Sequence, residues 1–176
     1  VNFGGIGVVI GHEMTHGFDD QGSKYDAQGN VRSWWTPEDK KKFDERTDCE
    51  VKEYDKFEVA PGQKLNGHLT LGENTADNGG LRIAYAALMS TLAEENKSTT
   101  EKIDGYTPEQ RYFISWGQVW CENTREQAAR LRAKTDPHSS GQWRVNGTVQ
   151  NFDEFGKAFG CKAGQPMMPE NSCRVW

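Results

Sequence analysis

Several features that would place this chain in a common class are missing from its 176 residues. No run of about 18 apolar residues occurs, so no segment of it is expected to span a membrane. The net charge is −5 and basic residues form no stripe, which argues against a nucleic-acid partner. Strand-type alternation is weak, and internal repeats and low-complexity tracts are absent. The pattern predicts one mainly helical domain. Its low apolar content of 35 % indicates a well-solvated surface or a missing packing partner.

Cysteines are few and far apart: Cys49, Cys121, Cys161 and Cys173. Their spacings are too wide for a clustered zinc finger. Free buried thiols and disulfides of an oxidising compartment both remain open. The first residues carry no basic segment of the kind that begins a signal peptide, and they lead directly into a polar motif. We therefore expect the chain to be part of a longer one.

Helix-start signals divide the chain into elements. An apolar, glycine-rich segment over residues 5–17 is expected to form a closely packed helix with Gly17 as its C-cap. Thr-Pro starts predict helices over 36–57 and 107–132. The longest helix is expected over 71–95, and a short last one from Asn151. Residues 19–33, 96–105 and 135–148 are predicted to be loops, with residues 143–149 as the best short strand. The expected buried positions are Phe43, Cys49 and Val51 in the second helix and Leu81, Ile83, Ala84, Ala87, Leu88 and Leu92 in the longest.

The segment from His12 to His16 carries the first chemical motif, His-Glu-x-x-His. Two histidines four residues apart leave the same face of a helix, so both imidazoles can bind one tetrahedral ion. Glu13 lies beside them, where its carboxylate can take a proton from a water on that ion. The pentapeptide is also frequent by chance and does not establish a zinc site alone.

A second motif supplies two acids at the same helical spacing, Glu73 and Asp77. A catalytic zinc takes three protein ligands, and two histidines with one glutamate are a known set. A ligating histidine usually donates its other ring N–H to a carboxylate. A second helix crossing the first would supply both groups, whereas a solvated helix start needs neither flanking glycines nor an apolar continuation. Together the two motifs predict one Zn²⁺ per chain.

Four segments in order resemble the neprilysin and endothelin-converting-enzyme family of zinc metallopeptidases. They are residues 2–20, 66–81, 136–147 and the terminal Cys-Arg-Val-Trp, so the resemblance covers essentially the whole chain. The later segments are closer in amino-acid sequence to the bacterial members of the family than to the animal ones. The resemblance implies the C-terminal portion of a thermolysin-like zincin (gluzincin) catalytic domain, mainly α with little β. The domain assignment is that residues 1–176 form the zinc-binding part of this catalytic domain.

The resemblance also implies roles for the site residues. His12, His16 and Glu73 would be the zinc ligands and Glu13 the general base. Asp77 would orient His12. The implied activity is that of a zinc-dependent endopeptidase, which hydrolyses small peptides with a metal-activated water.

Two further residues acquire roles by the same comparison. His138 would stabilise the oxyanion of the tetrahedral intermediate, and Arg144 would bind a substrate carbonyl. Such roles need a donor where negative charge develops and a planar guanidinium fork. Two departures from the family pattern are Ser140, where proline commonly follows His-Ser, and Thr75, which replaces an aliphatic residue.

The resemblance pairs Cys49 with Cys173 in a disulfide and sends Cys121 and Cys161 to partners in the N-terminal part of the parent protein. That part, with the edge segment that binds the substrate backbone, is not among these residues. A disulfide would indicate an extracytoplasmic location: periplasmic, secreted, or the ectodomain of a membrane-anchored parent. The expected partners are peptide substrates and the N-terminal part of the parent.

Two other functions compete with catalysis. One is a non-catalytic zinc-binding domain, such as a decayed peptidase, but it would have no need of Glu13. The other is a metal-free helical interaction module in which the first motif is accidental. The paired acids Glu73 and Asp77 argue against that interpretation.

Overall fold

The computed structural model describes all 176 residues and contains seven α-helices and one short β-ribbon. The helices are α1 (Val8–Thr15), α2 (Pro37–Tyr54), α3 (Leu71–Glu94), α4 (Pro108–Val119), α5 (Glu126–Thr135), α6 (Gly141–Val149) and α7 (Asp153–Phe159). The ribbon pairs β1 (Glu58–Ala60) with β2 (Gln63–Lys64) in antiparallel register. The prediction of a mainly helical fold with little β structure is confirmed. None of the helices combines the length and the apolarity that crossing a membrane requires.

The starts of α2 and α4 follow the sequence signals closely. Thr36 accepts a hydrogen bond from the backbone N–H of Asp39, and Pro37 occupies the first position of α2. Thr107 and Gln110 form a reciprocal capping box at the start of α4. Side-chain caps satisfy amide groups that the helix itself leaves unpaired, so local sequence suffices to place these starts.

The predicted helix over residues 107–132 is wrong in its continuity, because residues 120–125 are not helical and divide it in two. The chain leaves the helix after Val119 and begins α5 at Glu126. In the break, the carboxylate of Glu122 accepts the backbone N–H of Gly141, at 2.8 Å. Glu122 and Gly141 are 19 residues apart in the sequence. A sequence pattern of one helix length therefore cannot reveal their contact.

The predicted loop over 135–148 is wrong from residue 141 onward, and the predicted strand over 143–149 is wrong throughout, because α6 covers these residues. Its glycines lower helix propensity, but they lie where neighbours approach closely. A Cβ added at Gly147 would lie 2.7 Å from the Tyr54 hydroxyl. Tertiary packing therefore outweighs the local preference.

Three smaller expectations also fail. Helix α1 ends at Thr15 and continues as a 3₁₀ turn over His16–Phe18, so Gly17 is not a left-handed cap. On α3, Ile83 and Ala87 are exposed, because the stripe of α3 that faces the core runs through other positions. Those positions are Leu81, Ala84, Leu88 and Leu92, as predicted.

The core lies between α1, α3, α4 and the segment that joins α6 to α7. Its ten buried members are Val8, Leu81, Ala84, Leu88, Leu92, Tyr112, Phe113, Trp116, Val149 and Phe152. Helices α1 and α3 cross at glycines, and a Cβ on Gly11 would lie 2.9 Å from the Cα of Gly80. The expectation that the glycine-rich first helix packs closely is confirmed, and this crossing brings the two motifs together.

A disulfide joins Cys49 of α2 to Cys173 near the C-terminus, with Cα atoms 5.6 Å apart. The guanidinium of Arg46 donates to the carbonyl of Val175, at 2.8 Å, beside this link. The C-terminal tail is thus held against α2. The remaining thiols, Cys121 and Cys161, are free.

Candidate metal centre

Three side chains converge on one point. Helix α1 presents His12, the 3₁₀ turn that continues it presents His16, and the first turn of α3 presents Glu73. One candidate ligand atom from each lies within 4.8 Å of the other two. The Nε2 atoms of the histidines are 3.0 Å apart, and Nε2 of His12 lies 3.2 Å from Oε2 of Glu73. Two nitrogens and one carboxylate oxygen form a donor set typical of catalytic zinc.

Each imidazole is oriented by a carboxylate at its Nδ1 atom. The Nδ1 atom of His12 lies 2.8 Å from Oδ1 of Asp77, which is almost fully buried. The Nδ1 atom of His16 lies 2.7 Å from Oδ2 of Asp19. When each Nδ1–H donates to its carboxylate, each Nε2 is left with a free lone pair directed at the common point.

The charges of the site groups are coupled. Burial disfavours the charged form of His12, but the hydrogen bond to Asp77 and the adjacent Glu73 carboxylate outweigh it and raise its pKa to about 9. Burial also disfavours a charged Glu73, yet His12 and the nearby His138 and His16 outweigh it and lower the pKa of Glu73. Glu73 is thus held as an anion in the form that a cation needs as a ligand.

His138 approaches the same carboxylate from the loop before α6. Its Nε2 lies 3.3 Å from Oε2 of Glu73, and its Nδ1 lies 2.9 Å from Asp136. The backbone N–H of His138 also donates to Asp136 and lowers the pKa of that carboxyl. The buried hydroxyl of Ser139 donates to Asn74 of α3, at 2.7 Å. The loop is therefore anchored to the helix that carries Glu73.

Arg144 of α6 is 6 % exposed and forms two parallel bonds to Asp77. Its Nε and Nη2 atoms each donate at 2.7 Å to one carboxylate oxygen. Its guanidinium carbon lies 3.9 Å from the ring centre of Trp120. Arg144, Trp120 and His138 line a cavity of about 520 Å³ beside the site. The two bonds to Asp77 use one N–H of Nε and one of Nη2, so both N–H groups of Nη1 remain for another acceptor.

Glu13 follows His12 on α1, and its side chain is exposed. No protein group forms a hydrogen bond or an ion pair with it. The carboxylate is thus free to accept a proton from a water molecule beside the cluster.

Comparison with known proteins agrees with this geometry. The sequence profile described as peptidase family M13 matches residues 1–175.

The chain belongs to peptidase family M13.

Two of the proteins that resemble this chain in sequence are animal proteins. Endothelin-converting enzyme 1 of Bos taurus is 44 % identical over 176 residues, which are all of this chain and 23 % of that protein. Neprilysin-3 of Drosophila melanogaster is 44 % identical over 178 residues and is covered to 22 %. The chain thus spans less than a quarter of the length of these M13 relatives.

Solved bacterial structures have the same fold. Zinc metalloprotease Zmp1 of Mycobacterium tuberculosis in complex with an inhibitor superposes with a TM-score of 0.89 at 41 % identity, covering 99 % of this chain and 27 % of that one. PepO of Lactobacillus rhamnosis gives a TM-score of 0.80 at 35 % identity, covering 96 % and 25 %. The predicted zincin-type fold is confirmed.

One feature of this M13 chain's own structure supports a cation at the cluster of His12, His16 and Glu73. The Oε2 atom of Glu73 is buried and has no hydrogen-bond partner, since the nitrogens near it lie outside hydrogen-bonding geometry. A buried carboxylate oxygen without a donor is costly. An ion between Glu73 and the two Nε2 atoms would remove that cost.

The sequence interpretation gave no role to Asp19 or Ser139. Asp19 lies three residues after His16, a spacing that could have suggested contact across a helical turn. Ser139 reaches Asn74 across 65 residues of sequence, and no local signal announces that bond. The first could have been found from the sequence and the second could not.

Proposed function

We propose that this chain carries the zinc centre of a metalloendopeptidase, with His12, His16 and Glu73 as the ligands of one Zn²⁺. The observation that carries the proposal is the convergence of these three ligand atoms within 4.8 Å. Carboxylates behind both histidines support it, because such partners fix the tautomer that a metal requires. M13 membership and the likeness to a zinc metalloprotease support the choice of metal.

When bound, zinc would polarise a peptide carbonyl and lower the pKa of a water toward neutrality. The protein's own part in hydrolysis begins with Glu13. Its exposed carboxylate accepts a proton from the attacking water and passes it to the leaving amine. Asp77 holds His12 in the tautomer that leaves Nε2 free.

His138 and Arg144 act on the substrate in this proposal. Nε2 of His138 lies beside Glu73 and can donate to the oxygen that becomes negative during attack. Arg144 offers Nη1 to a substrate carbonyl, while its bonds to Asp77 hold the guanidinium plane in place. The adjoining cavity leaves room for a side chain of a small peptide.

The proposal includes a larger parent protein. Ile6, Ile10 and Met14 recur every four residues, and each is at least 55 % exposed. An apolar stripe on a helix is expected to pack against another element. We infer that residues 1–176 are the C-terminal zinc-binding part of the catalytic domain, and that the upstream part of the parent covers this stripe. It would also supply the substrate edge segment and the partners of Cys121 and Cys161. The Cys49–Cys173 bond supports an extracytoplasmic location.

The decisive test is Glu13→Gln in the full-length protein, because glutamine keeps the shape of glutamate but cannot accept the proton. We expect the variant to retain stoichiometric zinc and to lose peptidase activity. Glu38→Gln, an exposed acid at the start of α2, serves as the matched control and should leave activity unchanged. Near-normal turnover by Glu13→Gln would remove the mechanism. A wild-type protein that binds zinc without hydrolysing any peptide would favour the non-catalytic binding domain.

A further inference from the structure

A second carboxyl group lies deep in the protein on the other side of α3. Glu50 of α2 is 0 % exposed. Thr75 Oγ1 donates to its Oε2 at 2.6 Å, and Asn78 Nδ2 donates to its Oε1 at 2.8 Å. Both partners belong to α3, so one side chain bridges two successive turns of the helix that carries Glu73.

No cation pairs with this carboxyl group. Of the charged groups that act on it, Glu53 on α2 and Asp77 on α3 disfavour a negative charge. Arg82 on α3 favours one, but its Nη2 donates to the carbonyl of Asn151. From the C-terminal tail, the exposed Arg174 acts on Arg82 instead. An unpaired buried carboxylate is strongly disfavoured, and burial, with the charges of Glu53 and Asp77, raises the pKa of Glu50 to about 8.

The bonds of Glu50 bear on the candidate metal centre through α3. Thr75 and Asn78 lie on the side of the helix that faces α2. Glu73 and Asp77 alternate with them and face α1. The orientation of α3 about its own axis that lets Thr75 and Asn78 bond to Glu50 is therefore also the orientation that directs Glu73 and Asp77 at His12.

We propose that Glu50 is a positioning residue, an uncharged carboxylic acid that clamps α3 to α2, and that loss of its proton loosens the clamp and weakens metal binding on the opposite face. In the neutral state Oε1 accepts from Asn78. The proton on Oε2 is donated to Thr75, so the bond that Thr75 donates to an ionised Glu50 is reversed; a hydroxyl can accept as well as donate. Thr75, in place of an aliphatic residue, gives that proton its acceptor.

The sign of the pH effect follows from the direction of the shift. The pKa of the group rises from 4.5 in the unfolded chain to about 8 in the folded one. Between these values the folded state holds a proton that the unfolded state lacks, so raising the pH through this window lowers stability. Glutamine matches the neutral acid and cannot ionise, so Glu50→Gln removes the effect.

The first experiment measures thermal unfolding of the full-length protein after metal removal, from pH 6 to pH 9. The Tm of Glu50→Gln should exceed that of the wild type by a margin that widens by about 1–2 °C between pH 6 and pH 8, because the unfolding entropy of so long a chain is large. Glu45→Gln, an exposed acid on the same helix, should show a constant difference. Glu50→Ala should lower Tm at every pH, because Thr75 and Asn78 lose their buried hydrogen-bond partner. A Tm difference between Glu50→Gln and the wild type that stays constant with pH, or failure of this variant to fold, overturns the proposed clamp.

The second experiment rests on the proposed zinc site and measures zinc affinity by chelator competition at pH 6.5 and pH 8.5. The affinity of the wild type relative to Glu50→Gln should fall by about tenfold at the higher pH. An unchanged ratio beside a widening Tm gap would refute the link to the metal face. Absence of zinc from both proteins would refute the zinc assignment, while the metal-free Tm comparison still decides the clamp.

Discussion

Gly80→Ala tests whether the helix crossing sets the geometry of the metal centre. A methyl group on Gly80 would lie 2.5 Å from the backbone nitrogen of His12 and 2.7 Å from the carbonyl oxygen of Val8. Ordinary contact begins at 3.4 Å, so α1 and α3 must separate by nearly 1 Å at the crossing. These neighbours are backbone atoms, which cannot rotate away. The separation therefore draws His12 away from Glu73 and Asp77.

The magnitude follows from two opposing effects. Overpacking of this kind costs about 1–3 kcal/mol, and alanine regains about 1 kcal/mol of helix propensity over glycine. Unfolding stability should therefore fall only slightly. Zinc ligand distances tolerate only about ±0.2 Å, so the bound state must restore the native spacing. If the full overpacking strain opposes metal binding, the zinc affinity falls by about 5–150-fold.

Chelator competition on the full-length protein measures this change, and thermal unfolding of the metal-free form measures the stability. Gly117→Ala is the matched control, since the nearest atom to its added methyl is 4.0 Å away. That variant should keep its zinc affinity and gain slightly in stability. Wild-type zinc affinity in Gly80→Ala would refute the argument that this crossing positions the ligands.

Further changes test individual side chains. Glu73→Ala removes the anionic ligand, so metal analysis should find little zinc, and stoichiometric zinc would contradict the ligand assignment. His138→Ala should lower kcat by about 10²–10³ if it acts as one oxyanion donor, and an unchanged kcat in peptide hydrolysis would exclude that role. Arg144→Ala should raise KM, because a contact made equally to substrate and transition state is lost. It should also lower Tm, because Asp77 loses its buried partner. Wild-type values of both KM and Tm would refute the roles of Arg144 in substrate binding and in stability. Cys173→Ser should lower the unfolding free energy by up to about 5 kcal/mol in the chain-entropy model, and denaturant titration that detects no loss would show that the Cys49 link is not stabilising.

Local chemistry was readable from the sequence. The His-Glu-x-x-His spacing and the Glu73–Asp77 spacing each define one helical face, because side chains four apart in a helix are neighbours. The starts of α2 and α4 were equally accessible, since a Thr-Pro pair supplies both a cap and a preset backbone angle. Each of these features is complete within one or two turns of chain.

Other features depend on partners distant in the sequence. The break after α4 is held by Glu122 and Gly141, and α6 forms around glycines that a local scale counts against it. Glu50 looks like an ordinary solvated acid in a charged helix until α3 covers it. Asp77 is shared between His12 and Arg144, an arrangement that no spacing in the chain implies.

The sequence alone therefore determined which residues could meet on one helical face, because helical periodicity is a local property of the backbone. Only the tertiary structure decided that the faces of α1 and α3 meet, how closely they approach, and which charges become buried between the helices. Those outcomes depend on the close contact at Gly11 and Gly80 and on removal of water from groups such as Glu50 and Asp77. Both effects arise only after segments far apart in the chain have packed together.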